Sequence, residues 1–192
     1  MRVSDKHQKI IDAAIKVFAQ KGFYSARISD IANEAKVADG TIYLYFNNKY
    51  DILISLFEEE IGKLILKVKN LINQEQDPKK KLEIFAIQHL ALVHEQRDLA
   101  EVLQMELRQS NKFMREYRNN RFIEYVDLIS KIVREGKDSG VFKETINPGI
   151  TKRAFFGALD ETSRLWILQP ENKYNLEETA RQISRTFLTG MC

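Results

Sequence analysis

Residues 39–49 read Asp-Gly-Thr-Ile-Tyr-Leu-Tyr-Phe-Asn-Asn-Lys, and this stretch decides the fold. It follows a segment, residues 28–36, whose apolar positions recur at the three- and four-residue spacing of a short helix. A second short helix fits residues 40–46. The positions that face inward on this pair, or lie in the turn between them, are Ile31, Ala32, Ala35, Val37 and Ile42. The spacing predicts two helices that cross over a tight turn, a helix-turn-helix.

The second of these helices begins without a bulky side chain, at Asp39 and Gly40. Such an end can approach base edges in the major groove of duplex DNA. A threonine hydroxyl can bond to a base or a phosphate, and a leucine can contact a thymine methyl group. The residues expected to reach DNA are Thr41, Tyr43 and Leu44 for base edges and Tyr45 and Lys49 for phosphates. The alternative is a pair of packed helices with no role in DNA binding.

Outward from this stretch, the whole chain has helical periodicity. Glycine and proline are scarce, eight and three in 192 residues, and no segment alternates strictly between apolar and polar residues. Asn48, with Asp51 three residues on, can cap a long helix, and Asp77 before Pro78 marks the start of the next. The sequence predicts an all-α fold of nine helices, near residues 4–21, 28–36, 40–46, 48–74, 78–93, 98–109, 111–137, 148–168 and 175–189.

Residues 39–49, with two shorter motifs upstream, resemble the N-terminal domain of the TetR family of transcriptional repressors. The upstream motifs are Gly22-Phe23 and Asp30-Ile31-Ala32. The resemblance covers roughly residues 7–57. It implies a helix-turn-helix DNA-binding domain over residues 1–48 and a helical ligand-binding and dimerisation domain over residues 49–192. It also implies a homodimer that binds double-stranded operator DNA.

The resemblance places Arg27 and Ser29, at the start of the second helix, among the expected DNA contacts. Arg27 occupies a position where the family usually has a capping threonine or serine, so arginine is expected to supply the phosphate contact instead. Lys36 replaces the usual turn glycine. A lysine held at positive φ there would cost about 1 kcal/mol.

The charge distribution agrees with a DNA-binding N-terminal part. The net charge is +3, and residues 1–50 hold eight Lys and Arg against five Asp and Glu, so the rest of the chain balances. The basic end is the candidate for phosphate contact, although a few surplus lysines also fit an ordinary solvated surface. The single cysteine, Cys192, fits a reducing cytoplasm, and no apolar run approaches membrane-spanning length.

Catalytic chemistry has no support in the sequence, because no nucleophile with a base, carboxylate pair or metal-ligand set can be assembled from local spacing. His89 and His94 are five residues apart and point in different directions along a helix. We interpret His89 as an interior or boundary histidine whose polar atoms are satisfied, and Asp160 and Glu161 as polar-network or dimer residues. The sequence predicts no enzyme, no metal and no cofactor.

The two terminal helices carry more apolar surface than their own packing requires. These residues are Phe155, Phe156, Leu159 and Trp166 on one helix and Leu176, Ile183, Phe187 and Leu188 on the next. Burial between two copies of the chain would use the excess. Ordinary core packing is the alternative interpretation.

A ligand site is expected where basic and apolar residues adjoin. Residues 107–123 hold five basic side chains against one acid, next to the apolar run Leu99, Val102, Leu103 and Leu107. An anionic amphiphile suits that pairing, while a solvated cationic helix face is the plainer alternative.

The chain further resembles TetR-family repressors of fatty-acid degradation genes that long-chain acyl-CoA releases from DNA. The resemblance is densest at residues 37–62, 107–111, 156–157 and 160–162. It implies an acyl tunnel lined by Leu99, Leu103, Leu107, Phe113, Tyr117, Phe155 and Trp166, with CoA phosphates bound by Arg108, Arg115 or Arg118. The alternatives are a regulator of the same type that responds to a drug or a free fatty acid, and a helical acyl-CoA carrier that does not bind DNA.

Overall fold

A computed structural model of the chain describes residues 3–109, 120–169, 171 and 174–192. These residues form nine helices and contain no strand. The helices are α1 (Val3–Lys21), α2 (Ile28–Ala35), α3 (Asp39–Ile42), α4 (Lys49–Asn73), α5 (Pro78–Glu95), α6 (Arg97–Gln109), α7 (Asn120–Asp138), α8 (Pro148–Leu168) and α9 (Leu176–Met191). The all-α class and the helix order predicted from periodicity are confirmed.

Two helices differ from the predicted bounds by more than two residues. Helix α3 ends at Ile42, and the next residues continue as turns whose N–H groups bond to carbonyls three or four residues back. The chain therefore tightens before Phe46 instead of completing a second helical turn. The helix predicted over residues 111–137 is described from Asn120 onward, because residues 110–119 lie outside the described part of the chain.

One compact unit, here called unit 1, takes in the described residues of Met1–Glu60 and Asp98–Arg118. Within it α1 packs against α2, and α2 packs against α3. The side chains that hold these helices together are at most 2% exposed, and they include Ile10, Ile11, Ala14, Phe18, Ile31, Ala32 and Ile42. The small and branched inward residues of the helix-turn-helix motif thus form one core with α1.

The turn between α2 and α3 contains Lys36 in a left-handed conformation, with φ 57° and ψ 46°. The Lys36 N–H donates to the carbonyl of Asn33, and the Val37 N–H donates to that of Ala32. This pair of bonds satisfies carbonyls at the end of α2, as a glycine at this position commonly allows. The positive φ expected of Lys36 is confirmed.

Two side chains, those of Asn48 and Asp51, form hydrogen bonds at the start of helix α4. The side chain of Asn48 accepts the N–H of Asp51 at 3.0 Å, as the sequence predicts. The Asp51 carboxylate accepts the backbone N–H of Asn47 at 3.1 Å and its side-chain amide at 2.7 Å. It thus reaches one residue farther back than a standard capping box.

The second compact unit, unit 2, takes in the described residues of Ile61–Arg97 and Asn119–Cys192. Helix α5 lies at its centre and packs against α7, α8 and α9. Phe85 and Leu90 on α5, Ile129 on α7 and Leu159 on α8 are fully buried in this core. The predicted boundary between a DNA-binding domain and a ligand-binding domain at residue 48 stays a prediction. Units 1 and 2 are defined by contacts within the chain and not by function.

A close approach within unit 2 fixes the connection after α7. The Phe142 N–H donates to the carbonyl of Gly136 at 2.9 Å, and the Phe142 ring lies directly over that glycine. A Cβ atom at Gly136 would come within 2.1 Å of the ring. Any larger residue at Gly136 would therefore displace this buried phenylalanine.

Within the described parts of the chain, none of the helices has the length and apolarity that a membrane span requires. Over the same residues, no three His, Cys, Asp or Glu side chains gather as metal ligands would.

Candidate DNA-binding surface and ligand site

The exposed side of the helix-turn-helix carries two large side chains that the core does not use. Tyr43 is 58% exposed and Leu44 is 81% exposed, whereas their neighbour Ile42 is completely buried. Thr41 is half-buried, and a Cβ atom added at Gly40 would meet no atom of another described segment within 4 Å. The fold therefore presents an accessible surface over the residues that the sequence predicts to read base edges.

The start of α2 is capped by an acid from its own first turn, because Arg27 cannot accept a backbone N–H. The Asp30 carboxylate accepts the Arg27 N–H at 2.9 Å and an ammonium proton from Lys21 at 2.7 Å. The Lys21 ammonium, and then the Arg27 N–H, lower the pKa of Asp30. Arg27 itself is exposed, and Ser29 is half-buried.

Lys49 has a role that local sequence patterns did not reveal. Its ammonium group donates to three carbonyls of the loop between α1 and α2, those of Phe23 at 2.5 Å, Ala26 at 2.7 Å and Tyr24 at 3.1 Å. The same Nζ lies 4.6 Å from the centre of the Phe23 ring. We call this arrangement the lysine clamp. A phosphate contact by Lys49, as the sequence predicts, would have to draw the ammonium away from these carbonyls.

Tyr45 is half-buried and lies at the edge of the surface. Its ring packs edge-on against His7, with 6.1 Å between ring centres, and His7 also lies 5.0 Å from the Phe46 ring. His7 Nε2 is 2.6 Å from the carboxylate of Glu59. The tyrosine at the end of the motif is thus positioned by residues of α1 and α4.

The predicted ligand residues fall into both units. Leu99 and Leu103 are buried in unit 1, and Phe155 and Trp166 are buried in unit 2. Phe155 packs edge-on against Phe187, and Trp166 packs edge-on against His94. The side chains of Leu107 and Arg108, and the residues Phe113, Arg115, Tyr117 and Arg118, lie outside the described part of the structure.

A polar group within the core of unit 2 was not predicted as a site. His89 is 8% exposed, and its Nδ1 lies 3.2 Å from the hydroxyl of Tyr125, which is itself 2% exposed. The Nε2 atom of His89 is buried, and none of the described residues forms a hydrogen bond with it. The available signal was the position of His89 four residues after Phe85, on the apolar side of α5. The interior position predicted for His89 is correct, but the expectation that its polar atoms are satisfied is wrong for Nε2 within the described residues.

Three of the eight predicted dimer residues lie in the core of unit 2. Phe155, Leu159 and Trp166 are buried within a single chain, so for these three the core interpretation is confirmed and the dimer interpretation is wrong. A different stripe of α8 is exposed, at spacings of three and four residues. It consists of Ile150, Ala154, Gly157, Glu161, Leu165 and Leu168.

Helix α9 has an open surface groove lined by polar and charged side chains. They are Glu178, Arg181, Gln182, Arg185, Thr186 and Thr189. This lining does not suit an acyl chain, which needs apolar walls.

Comparison with known proteins extends over the whole chain. The family of bacterial regulatory proteins named tetR matches residues 10–56, and the C-terminal region of YsiA-like proteins matches residues 57–190. The chain is 38% identical over 186 residues to the fatty acid metabolism regulator protein of Bacillus subtilis (strain 168), covering 97% of this chain and 95% of that protein.

Solved structures give the same assignment. The fatty acid degradation regulator FadR from Bacillus halodurans superimposes with a TM-score of 0.91 at 38% identity, over 99% of this chain and 98% of that one. FadR from Bacillus subtilis in complex with stearoyl-CoA gives 0.89 at 38% identity, over 96% and 99%. These relatives are transcriptional regulators and not enzymes, and the same holds for this protein. The chain belongs to the TetR family of bacterial transcriptional regulators.

Proposed function

We propose that this protein is a homodimeric, cytoplasmic repressor of fatty-acid degradation genes that long-chain acyl-CoA releases from operator DNA. The observation that carries the proposal is its 38% identity and TM-score of 0.89 to a regulator solved in complex with stearoyl-CoA. The predicted alternatives, a free fatty acid or a drug as effector and a carrier without DNA affinity, are separated by the experiments below.

In this proposal, operator DNA binds to the exposed side of α2 and α3. Thr41, Tyr43 and Leu44 would meet base edges, and Arg27, Ser29 and Tyr45 would meet phosphates. Asp39 and Gly40 would permit close approach of the backbone. Lys49 would act indirectly, because the lysine clamp holds the loop that precedes Arg27.

Operator binding is tested with a duplex selected by the wild-type protein from a random library. Tyr43→Ala should weaken binding to that duplex by about ten-fold or more, as expected for loss of one base-reading side chain worth 1–3 kcal/mol. Tyr174→Ala is the matched control, since Tyr174 is 75% exposed and belongs to unit 2. Failure to select any duplex at moderate salt would favour the carrier alternative.

The exposed stripe of α8 supports a homodimer. A glycine inside a helix costs about 1 kcal/mol relative to alanine. Apart from the backbone of the same helix, no described atom lies within 4 Å of a Cβ atom built at Gly157. With Ala154 beside it, Gly157 lets a second helix approach closely, and Leu165 and Leu168 offer apolar surface to bury. Two copies would place two reading surfaces on successive half-sites.

The effector is tested by native mass spectrometry and by release from DNA. The first measurement reports the mass of the dimer and of any co-purified ligand. The second compares stearoyl-CoA, stearate and free CoA as releasing agents. Release by stearoyl-CoA alone supports the proposal, release by stearate favours the free-fatty-acid alternative, and release by none of them contradicts the effector class.

The predicted phosphate-binding arginines are tested together. An Arg108→Ala, Arg115→Ala double variant should lose release by stearoyl-CoA while still binding the selected duplex. Lys131→Ala with Arg134→Ala is the control, because it removes two exposed cations from α7. Unchanged release in the Arg108, Arg115 variant would contradict their assignment.

Coupling requires that the ligand bind better to the form that does not bind DNA. Helix α4 begins in unit 1 and continues past Glu60 into unit 2. A ligand-dependent shift of α4 would change the separation of the two reading surfaces in the dimer. The coupling free energy needed is about 1–3 kcal/mol per site.

A further inference from the structure

We infer that His89 donates a hydrogen bond to the acyl oxygen of the effector, so that the site recognises a carbonyl group as well as an alkyl chain. The inference rests on the proposed function, and it adds a specificity-determining residue in the core of unit 2. It depends on one buried ring nitrogen and on the groups around it.

The surroundings of His89 come from three helices and are mostly aromatic. Phe85, on the same helix, stacks parallel to the imidazole at 6.4 Å, and Phe156 of α8 packs edge-on at 5.3 Å. Tyr125 of α7 lies 6.0 Å away, ring centre to ring centre. The charged group that acts on His89 is Asp160 of α8. Aromatic side chains of this kind suit contact with an alkyl chain, and the histidine is the polar group among them.

The protonation of His89 follows from its burial. Burial lowers the pKa of His89 to about 4, and the charge of Asp160 opposes that shift only in part. The imidazole is therefore neutral near pH 7 and carries a single N–H. Burial also raises the pKa of Tyr125, which keeps its phenol protonated.

The position of that N–H is set by Tyr125. The phenol proton needs an acceptor in the core, and His89 Nδ1, at 3.2 Å, is the acceptor that the structure offers. When Tyr125 donates to Nδ1, the imidazole proton lies on Nε2. This N–H is buried and meets no acceptor among the residues that the structure describes. A buried donor of this kind favours a ligand that brings an oxygen acceptor, such as the carbonyl of a thioester.

The test compares two ligands that differ in that oxygen alone. Stearoyl-CoA has a thioester carbonyl, and S-octadecyl-CoA is a thioether without it. Wild-type protein should bind stearoyl-CoA about ten-fold more tightly, the ratio that one ordinary hydrogen bond gives. A His89→Phe, Tyr125→Phe double variant removes donor and partner together, and it should bind both ligands equally. His94→Phe, an exposed histidine of the same helix, should keep the wild-type ratio.

A second measurement uses the unaltered protein. The Nε2–H proton of His89, observed by NMR with ¹⁵N-labelled histidine, should move downfield on addition of stearoyl-CoA and stay in place with the thioether. Equal wild-type affinities and an unmoved proton would overturn the inference and leave the proposed effector intact. Binding of stearate alone, dependent on His89, would support the oxygen contact and contradict acyl-CoA as effector. If stearoyl-CoA, S-octadecyl-CoA and stearate all fail to bind, the inference about His89 and the proposed effector are both overturned.

Discussion

Replacing Lys49 by methionine separates a structural role from direct DNA contact. The change keeps the aliphatic part of the side chain and removes the ammonium that bonds to the carbonyls of Phe23, Tyr24 and Ala26. Hydrogen bonds to a charged group contribute about 1.5–3 kcal/mol each, and an exposed cation–π contact about 0.5–1 kcal/mol. Because Lys49 is half-buried and water can replace part of these contacts, we expect a loss of about 2–3 kcal/mol in total.

The assay has two readouts. Thermal unfolding should show a Tm lowered by about 4–12 °C, given roughly 2–4 °C per kcal/mol for a chain of this size. Lys67→Met is the control on the same helix, since its ammonium joins Glu95 in an exposed pair of little energetic consequence. The second readout is the salt dependence of operator affinity. Its slope should stay unchanged in Lys49→Met and should fall by about 0.9 in Arg27→Ala, which loses one phosphate contact.

The opposite pattern would refute the reasoning. If Lys49→Met unfolds at the wild-type temperature and lowers the salt slope by about 0.9, Lys49 contacts a phosphate directly. The lysine clamp would then have no energetic importance in solution.

Three further changes test other parts of the structure. Lys36→Gly should raise the free energy of unfolding in urea by up to about 1 kcal/mol, because it relieves the left-handed backbone at φ 57°. The pKa of His89 is about 4 in the folded protein, against 6.5 for an unperturbed histidine. The unfolded chain therefore binds a proton at this residue more readily, so stability is highest above pH 6.5 and falls as the pH is lowered toward 4. Acid titration of stability should therefore show a loss of up to about 3 kcal/mol that the His89→Phe, Tyr125→Phe variant lacks. Gly157→Arg should give a monomer in sedimentation and lose operator binding, and a dimer that sediments as the wild type would contradict the α8 interface.

Local pattern predicted the parts of the fold that depend on neighbours in sequence. Proline positions predicted the bounds of α8, and apolar spacing predicted the order of the helices. Single-residue chemistry predicted the cap at Asn48 and the strained turn at Lys36. Ala32 was correctly expected to face inward, and it is fully buried. These features are set by interactions over a few residues.

Two features that the sequence pattern missed join distant segments. Lys49 bonds to carbonyls 23–26 residues earlier, and His89 meets Tyr125 from 36 residues away. Every residue has a backbone carbonyl, so residue types do not indicate which carbonyls a lysine will contact. The lysine clamp could therefore not be predicted from the sequence. The exposed stripe of α8 could have been predicted, because a helical projection of residues 148–168 places Gly157 on a different face from the buried Phe155.

The discontinuity of unit 1 bears on the construction of biosensors from this protein. Unit 1 draws on two separate stretches of chain, one before Glu60 and one after Asp98. A recombinant hybrid joined at residue 48 would carry the first part of unit 1 and leave its other segments to the host sequence. Altered promoter specificity is therefore better engineered by exchanging only the exposed side chains, Thr41, Tyr43 and Leu44, within an intact scaffold. Such a graft keeps every buried neighbour of α3, including Ile42, in its native surroundings.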